Sequence, residues 1–138
     1  MAGPVDRQAK QLLDTQLLLW LAIDPERLPN NLRKELTDRR QLFAFSVVSL
    51  WEVAIKTSLG KLGFQVDASQ LRAGLVREGL QEIPIAAEHC MAVQHLPWIH
   101  RDPFDRLLVA QARISGLILL SADRTLEGYG DEVNWIGS

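Results

Sequence analysis

The stretch that most constrains the fold is His100-Arg101-Asp102-Pro103-Phe104-Asp105-Arg106-Leu107-Leu108-Val109-Ala110-Gln111-Ala112, with the apolar run Gly116-Leu117-Ile118-Leu119-Leu120 just after it. Asp102 before Pro103 predicts a helix start. Asp accepts a backbone N–H at the N-cap, and Pro suits the first helical position because its φ is already fixed. Leu107, Leu108, Gln111 and Ala112 then recur at helical spacing. Ile114-Ser115-Gly116 supplies a stop, and the apolar run beyond it is long enough only for a buried strand. The unit reads as helix, turn, strand. Asp105 falls in the helix's first turn, where free N–H groups and the helix dipole favour an ionised acid.

The rest of the chain repeats this alternation. Gln11-Leu12-Leu13-Asp14-Thr15 reads as a short buried strand ending in an acid. Residues 16–23 are almost wholly apolar and fit a helix covered on more than one side, which suggests a dimer or a partner. Asp24-Pro25 ends it, and residues 31–40 make a polar helix with Leu32 and Leu36 facing in. Residues 42–47 form a strand. Ser49-Leu50-Trp51-Glu52 matches the capping box, in which Ser and the Glu three residues on satisfy each other's backbone donors, and so opens the next helix. Gly60 and Gly63 bracket a loop, residues 68–78 make a helix, and residues 80–85 make a strand that Pro84 places near an edge. A short helix follows at 86–94. Ser121-Ala122-Asp123-Arg124 is a strand end followed by an acid, and residues 133–136 add a last strand. Strands alternating with helices predict a doubly wound parallel α/β sheet in a single domain spanning 11–138, after a flexible leader at 1–10.

Composition sets the limits. With 138 residues, 47% of them hydrophobic, the chain can bury a full core without disulfides. Cys90 is its one cysteine, so there is no bridge framework and no thiol cluster for zinc, and a reducing cytoplasm is the expected compartment. No run approaches the ~18 consecutive apolar residues of a membrane span. The formal net charge of −2 gives no general attraction to nucleic acid, so such a substrate must be held by local basic groups or a metal.

If the strands are parallel, Asp14 and Asp123 at strand ends and Glu52 and Asp105 in first helical turns all face one rim, where such sheets bind ligands. Taken singly, each acid is explained by helix capping. Four together repel one another and raise each other's pKa unless a divalent metal or a basic partner joins them. Oxygen-only ligands select Mg²⁺ or Mn²⁺, and that chemistry suits phosphodiester hydrolysis by activated water. The hydroxyls of Thr15 and Ser49 are candidates for orienting water or phosphate oxygens.

Leu12-Leu13-Asp14-Thr15, Ser49-Leu50-Trp51-Glu52-Val53-Ala54-Ile55-Lys56, the stretch from Asp102 to Ala112, and Leu119-Leu120-Ser121-Ala122-Asp123 together resemble the successive motifs of PIN-domain ribonucleases, specifically the VapC-type toxins. The resemblance runs from about Leu12 to the C-terminus, in order and at family spacing. It implies a parallel five-stranded sheet, Mg²⁺- or Mn²⁺-dependent endoribonuclease activity, homodimers and inhibition by a VapB-like antitoxin. Asp14, Glu52 and Asp105 fall on the family's core acidic positions and Asp123 on the fourth. Asp102 reads as a capping or supporting acid. Where many relatives carry His after the Asp-Thr pair, this chain has Gln16.

Other polar residues carry weaker expectations. His89, His95 and His100 lack metal-type i, i+4 pairing and are assigned surface or capping roles. Arg101, Arg106 and Arg124 lie beside the acids in sequence and are candidates for neutralising the site or holding an RNA backbone, with a solvated surface role for at least one. Trp20 and Trp51 sit in apolar helical patterns and are expected in core or interface packing, whereas base stacking is the alternative. Asp14→Asn is expected to abolish cleavage with little loss of fold. Two other classes remain in view. A phosphate-handling α/β hydrolase or receiver is weakened because no Lys follows the late strand and Gln16 stands where a dehalogenase-type phosphatase needs a second Asp. A catalytically silent PIN-like binding module would use the acids to cap helices and engage a partner's arginine.

Overall fold

The computed structural model describes residues 8–38, 40–60 and 65–137. Five strands form one parallel sheet: β1 (Gln11–Leu13), β2 (Phe43–Ser46), β3 (Gln81–Ile83), β4 (Ile118–Ser121) and β5 (Val133–Trp135), in the order β3-β2-β1-β4-β5. The helices are α1 (Thr15–Ile23), α2 (Asn30–Thr37), α3 (Val47–Ser58), α4 (Ala68–Arg77), α5 (Ala87–Ala92) and α6 (Pro103–Ser115). This is the doubly wound α/β architecture that the alternation predicts. β3 lies at an edge with Pro84 just beyond it, where a missing N–H costs least.

Neighbouring residues on a strand serve opposite faces, so each central strand feeds two cores. Leu12, Ala44 and Leu119 pack with Leu108, Val109 and Ala112 of α6 on one side. Leu13, Phe45 and Leu120 pack with Leu17, Leu18, Val53, Leu71 and Leu75 of α1, α3 and α4 on the other. The sheet is therefore buried on both faces, as short apolar strands require. α1 is only partly covered: Leu17 and Leu18 are buried, whereas Ile23 is 60% exposed.

The helix ends follow local chemistry with one correction. Asp102 caps α6, its Oδ1 accepting the N–H groups of Phe104 (2.8 Å) and Asp105 (3.2 Å), and Gly116 ends that helix in the left-handed conformation at φ 69°. The expected capping box at Ser49 and Glu52 is absent. α3 begins earlier, at Val47, because the Ser46 hydroxyl at the end of β2 accepts the Val48 N–H at 3.0 Å. Ser49 is thus a buried residue inside the helix, and Glu52 stands in its second turn, not its first. Trp51 is also not a core residue; it is 56% exposed and packs edge-to-face on Phe104. The loop expected between Gly60 and Gly63, and the leader as far as residue 7, lie outside the described residues. Ala9, inside the expected leader, is buried and donates its N–H to Gln81 Oε1 at 2.7 Å.

Candidate active site

The chain leaves β1 for β2 and β3 on one side, then returns to β4 and β5 on the other, so β1 and β4 flank the point where the winding reverses. Loops diverge there at the carboxyl ends of the strands and leave a crevice. Asp14 occupies it. Its Oδ1 accepts the Leu17 N–H at 2.9 Å, capping α1, while Oδ2 accepts the Ser121 hydroxyl at 2.6 Å and the Ala122 N–H at 3.0 Å. One carboxylate thereby ties β1, α1 and the end of β4 together. A cleft of about 700 Å³ opens beside it, lined by Asp14, Thr15, Glu52, Asp102, Asp105 and Asp123, with Gln16, Trp20, Lys56 and Arg124 completing the walls.

The acids reach the cleft from α3, from the start of α6 and from the residues that follow β1 and β4. Glu52 projects from α3, almost wholly buried; Lys56, one turn on, donates to its Oε2 at 2.6 Å, and Oε1 is buried without a hydrogen-bond partner among the described residues. Asp105 stands in the first turn of α6. Asp123 follows β4 and accepts the Thr125 N–H on Oδ1 (2.9 Å), with His100 Nε2 at 2.8 Å from Oδ2. Thr15 lines the cleft and donates its hydroxyl to Ser49 Oγ at 2.9 Å, so Ser49 supports the wall without lining it.

Crowding these acids has an electrostatic cost. Burial, followed by repulsion from Asp102, Asp14 and Glu52, pushes the Asp105 carboxyl up to about 7, against a smaller pull from His100. Burial also raises Asp14, although bonds from Ser121, Leu17 and Ala122 oppose it. Asp123 goes the other way: burial acts to raise it, but the Thr125 N–H and His100 outweigh this and hold it low. For Lys56, burial favours the neutral amine, yet Glu52, Asp102 and Asp105 together raise its pKa and keep it charged.

Two groups in this region escaped the sequence reading. His100, expected in a surface or capping role, lies against Asp123 and 3.9 Å from Asp105 Oδ2. Nothing local signals this, because its partner is 23 residues away. Lys56 had a signal: it follows Glu52 at i+4, the spacing of a helical ion pair. Conversely, Arg106 is not a site residue. It is buried and donates to the carbonyls of Pro97 (2.9 Å) and Val93 (3.1 Å) and to the Tyr129 hydroxyl (3.2 Å). Arg101 is exposed; Arg124 lines the cleft and stacks on Trp135. His89 does cap α5, its Nδ1 accepting the Ala86 N–H at 2.9 Å.

The bonding of Asp14 revises the expected behaviour of Asp14→Asn. Either orientation of an amide would set its NH₂ against a backbone N–H, that of Leu17 or that of Ala122. We expect Asp14→Asn to lose roughly 1–3 kcal/mol of stability, measured by urea unfolding; an unchanged midpoint would contradict the bonding described.

The donor set suits a hard divalent cation. Five carboxylates line the cleft, and the orphaned Glu52 Oε1 is a buried acceptor that only a cation or a new donor would satisfy. A profile of the PIN domain matches residues 12–132. The chain belongs to the PIN-domain family. Solved structures similar to this PIN domain include the DNA-bound VapBC of Salmonella typhimurium, at 14% identity and TM-score 0.67, covering 93% of this chain and 98% of that one. VapBC2 of Rickettsia felis bound to a promoter DNA fragment matches at 19% identity and TM-score 0.66, with coverage of 93% and 98%. PAE2754 of Pyrobaculum aerophilum matches at 18% identity and TM-score 0.59, with coverage of 93% and 91%. No curated protein matches the chain. Among the described residues, no helix of this PIN domain is long and apolar enough to cross a membrane.

Proposed function

We propose that this PIN domain is a divalent-metal-dependent endoribonuclease of the VapC type, a cytoplasmic toxin that acts as a homodimer and is inhibited by a VapB-like antitoxin. The observation that carries the reading is the gathering of Asp14, Glu52, Asp105 and Asp123 in one cleft, with Asp105 raised to about 7 by burial and by its acidic neighbours. Such a cluster is uncomfortable alone and relieved by Mg²⁺ or Mn²⁺. The VapC motifs in the sequence and the two VapBC complexes among the structural neighbours support the toxin assignment and the antitoxin partner.

Asp14, Glu52, Asp105 and Asp123 would hold the metal. When bound, the cation acidifies water for attack on phosphorus and screens the charge that builds on the phosphate. The chain's own groups do the rest. Asp14, tied on both oxygens, supplies a fixed carboxylate; Lys56 holds Glu52 by Oε2 and leaves the buried Oε1 without a partner among the described residues. Charged Lys56 and Arg124 at the walls supply the local positive charge that a chain of net charge −2 otherwise lacks, and they engage the phosphate backbone. Asp102 acts through α6, whose start it caps. No protein nucleophile is required. Single-stranded or looped RNA is the preferred substrate, because the accessible groove of an A-form helix displays little sequence.

The test is cleavage of a mixed, structured RNA by antitoxin-free protein in Mg²⁺, Mn²⁺ or EDTA. Discrete products in either metal and none in EDTA are expected. No cleavage in any metal, once mass analysis excludes a retained inhibitor, would favour a binding module whose acidic cleft receives a partner's guanidinium group.

A further inference from the structure

His100 Nε2 and one oxygen each of Asp105 and Asp123 all lie within 4.8 Å of one another, so by distance alone the three would make a metal site. The hydrogen bonds around the ring argue otherwise. The Asp102 N–H points at His100 Nδ1 at 3.0 Å. A backbone N–H can only donate, so Nδ1 is the acceptor and the ring carries its proton on Nε2. Ligation through Nε2 would need that proton moved to Nδ1, straight against the Asp102 N–H. The backbone on either side of this contact is anchored as well. The His100 N–H donates to the Tyr129 hydroxyl at 2.9 Å, and Asp102 is itself fixed as the cap of α6.

We propose that His100 is a positioning residue: its Nε2–H is locked as a donor to Asp123, beside Asp105, and it stays outside the ligand set of the metal. The proposal rests on the nuclease reading and refines it. At 2.8 Å the Nε2–H takes one lone pair of Asp123 Oδ2, while Thr125 takes one of Oδ1. Both oxygens are thereby oriented, and each keeps a further lone pair for a cation. At 3.9 Å from Asp105 Oδ2 the ring makes no bond there, but it leaves that carboxylate beside an oriented N–H dipole. An acid already held in place binds a cation without first being ordered, and losing such an outer support typically costs about 10–100-fold in affinity.

The experiment pairs ring NMR with metal binding. Long-range ¹H–¹⁵N spectra of the full chain should show the Nε2–H tautomer of His100 without metal and after saturation with Mg²⁺. Calorimetric titration with Mn²⁺ should give an affinity about 10–100-fold weaker for His100→Ala, with most of it recovered in His100→Gln, whose amide offers a replacement N–H. An Nδ1–H tautomer, loss of the Nε2 proton on adding Mg²⁺, or wild-type Mn²⁺ affinity in His100→Ala would each overturn the proposal. Failure of the nuclease reading looks different: the wild type itself would bind neither Mg²⁺ nor Mn²⁺, and the proposal would fall with it.

Discussion

Asp105→Asn is expected to make the metal-free protein more stable than the wild type at pH 8, with the gap closing as the pH falls towards 4. In the folded chain the Asp105 carboxyl titrates at about 7, against an ordinary value of 3.8, so the folded state keeps a proton that the unfolded chain has already released. The stability this group contributes is complete below about pH 4 and is lost as the pH rises through about 7. The upper limit of that loss is roughly 4 kcal/mol; with a fifth of the side chain open to solvent, roughly 2 kcal/mol is the expected gain from Asn. Asp14 is shifted in the same direction and leaves a residual slope, whereas Asp123 is shifted in the opposite direction. Adding Mg²⁺ should stabilise the wild type and narrow the gap, because a ligand that binds only the folded state shifts the equilibrium towards it. Thermal unfolding from pH 4 to 8 reads all of this. Parallel curves for the two proteins would show that Asp105 is not under the strain described.

Arg106→Met is expected to have the largest effect on stability, a loss of roughly 3–5 kcal/mol in urea unfolding. The buried guanidinium donates to the carbonyls of Val93 and Pro97 and to the Tyr129 hydroxyl, and it lies 4.1 Å from the centre of the Trp98 ring. It therefore staples the segment that leads into His100 onto α6. Met fills much of the volume but returns none of the donors, leaving buried carbonyls unpaired. Arg106→Lys should recover little, since one ammonium group cannot reach the set that a planar fork spans. Because Tyr129 also holds the His100 N–H, cleavage should fall even at temperatures where the variant remains folded. A variant as stable and as active as the wild type would remove the staple from the account.

What the sequence reveals and what it hides follow one division. Features set by near neighbours are legible: Asp102-Pro103 starts α6, Gly116 stops it, and the short apolar strands between helices give the parallel sheet. The cap of α3 is at the margin. Ser46 and Ser49 both precede the helix pattern, and only the end of β2 decides for Ser46. Contacts that depend on the assembled fold are not legible. Arg106 adjoins Asp105 in sequence, but one residue along a helix is a rotation of about 100°, which turns it from the cleft into the interior. Trp51 sits in an apolar pattern yet faces solvent beside Phe104. His100 meets Asp123 only because α6 and β4 start and end at the same rim.

The central claim is that the acids of this cleft work together on RNA through a divalent metal. The most direct measurement sets wild type and Asp105→Asn side by side on one structured RNA in Mg²⁺, with circular dichroism to verify that both are folded. The account predicts discrete, EDTA-sensitive products from the wild type and none from the variant. Equal cleavage by the two folded proteins would contradict it.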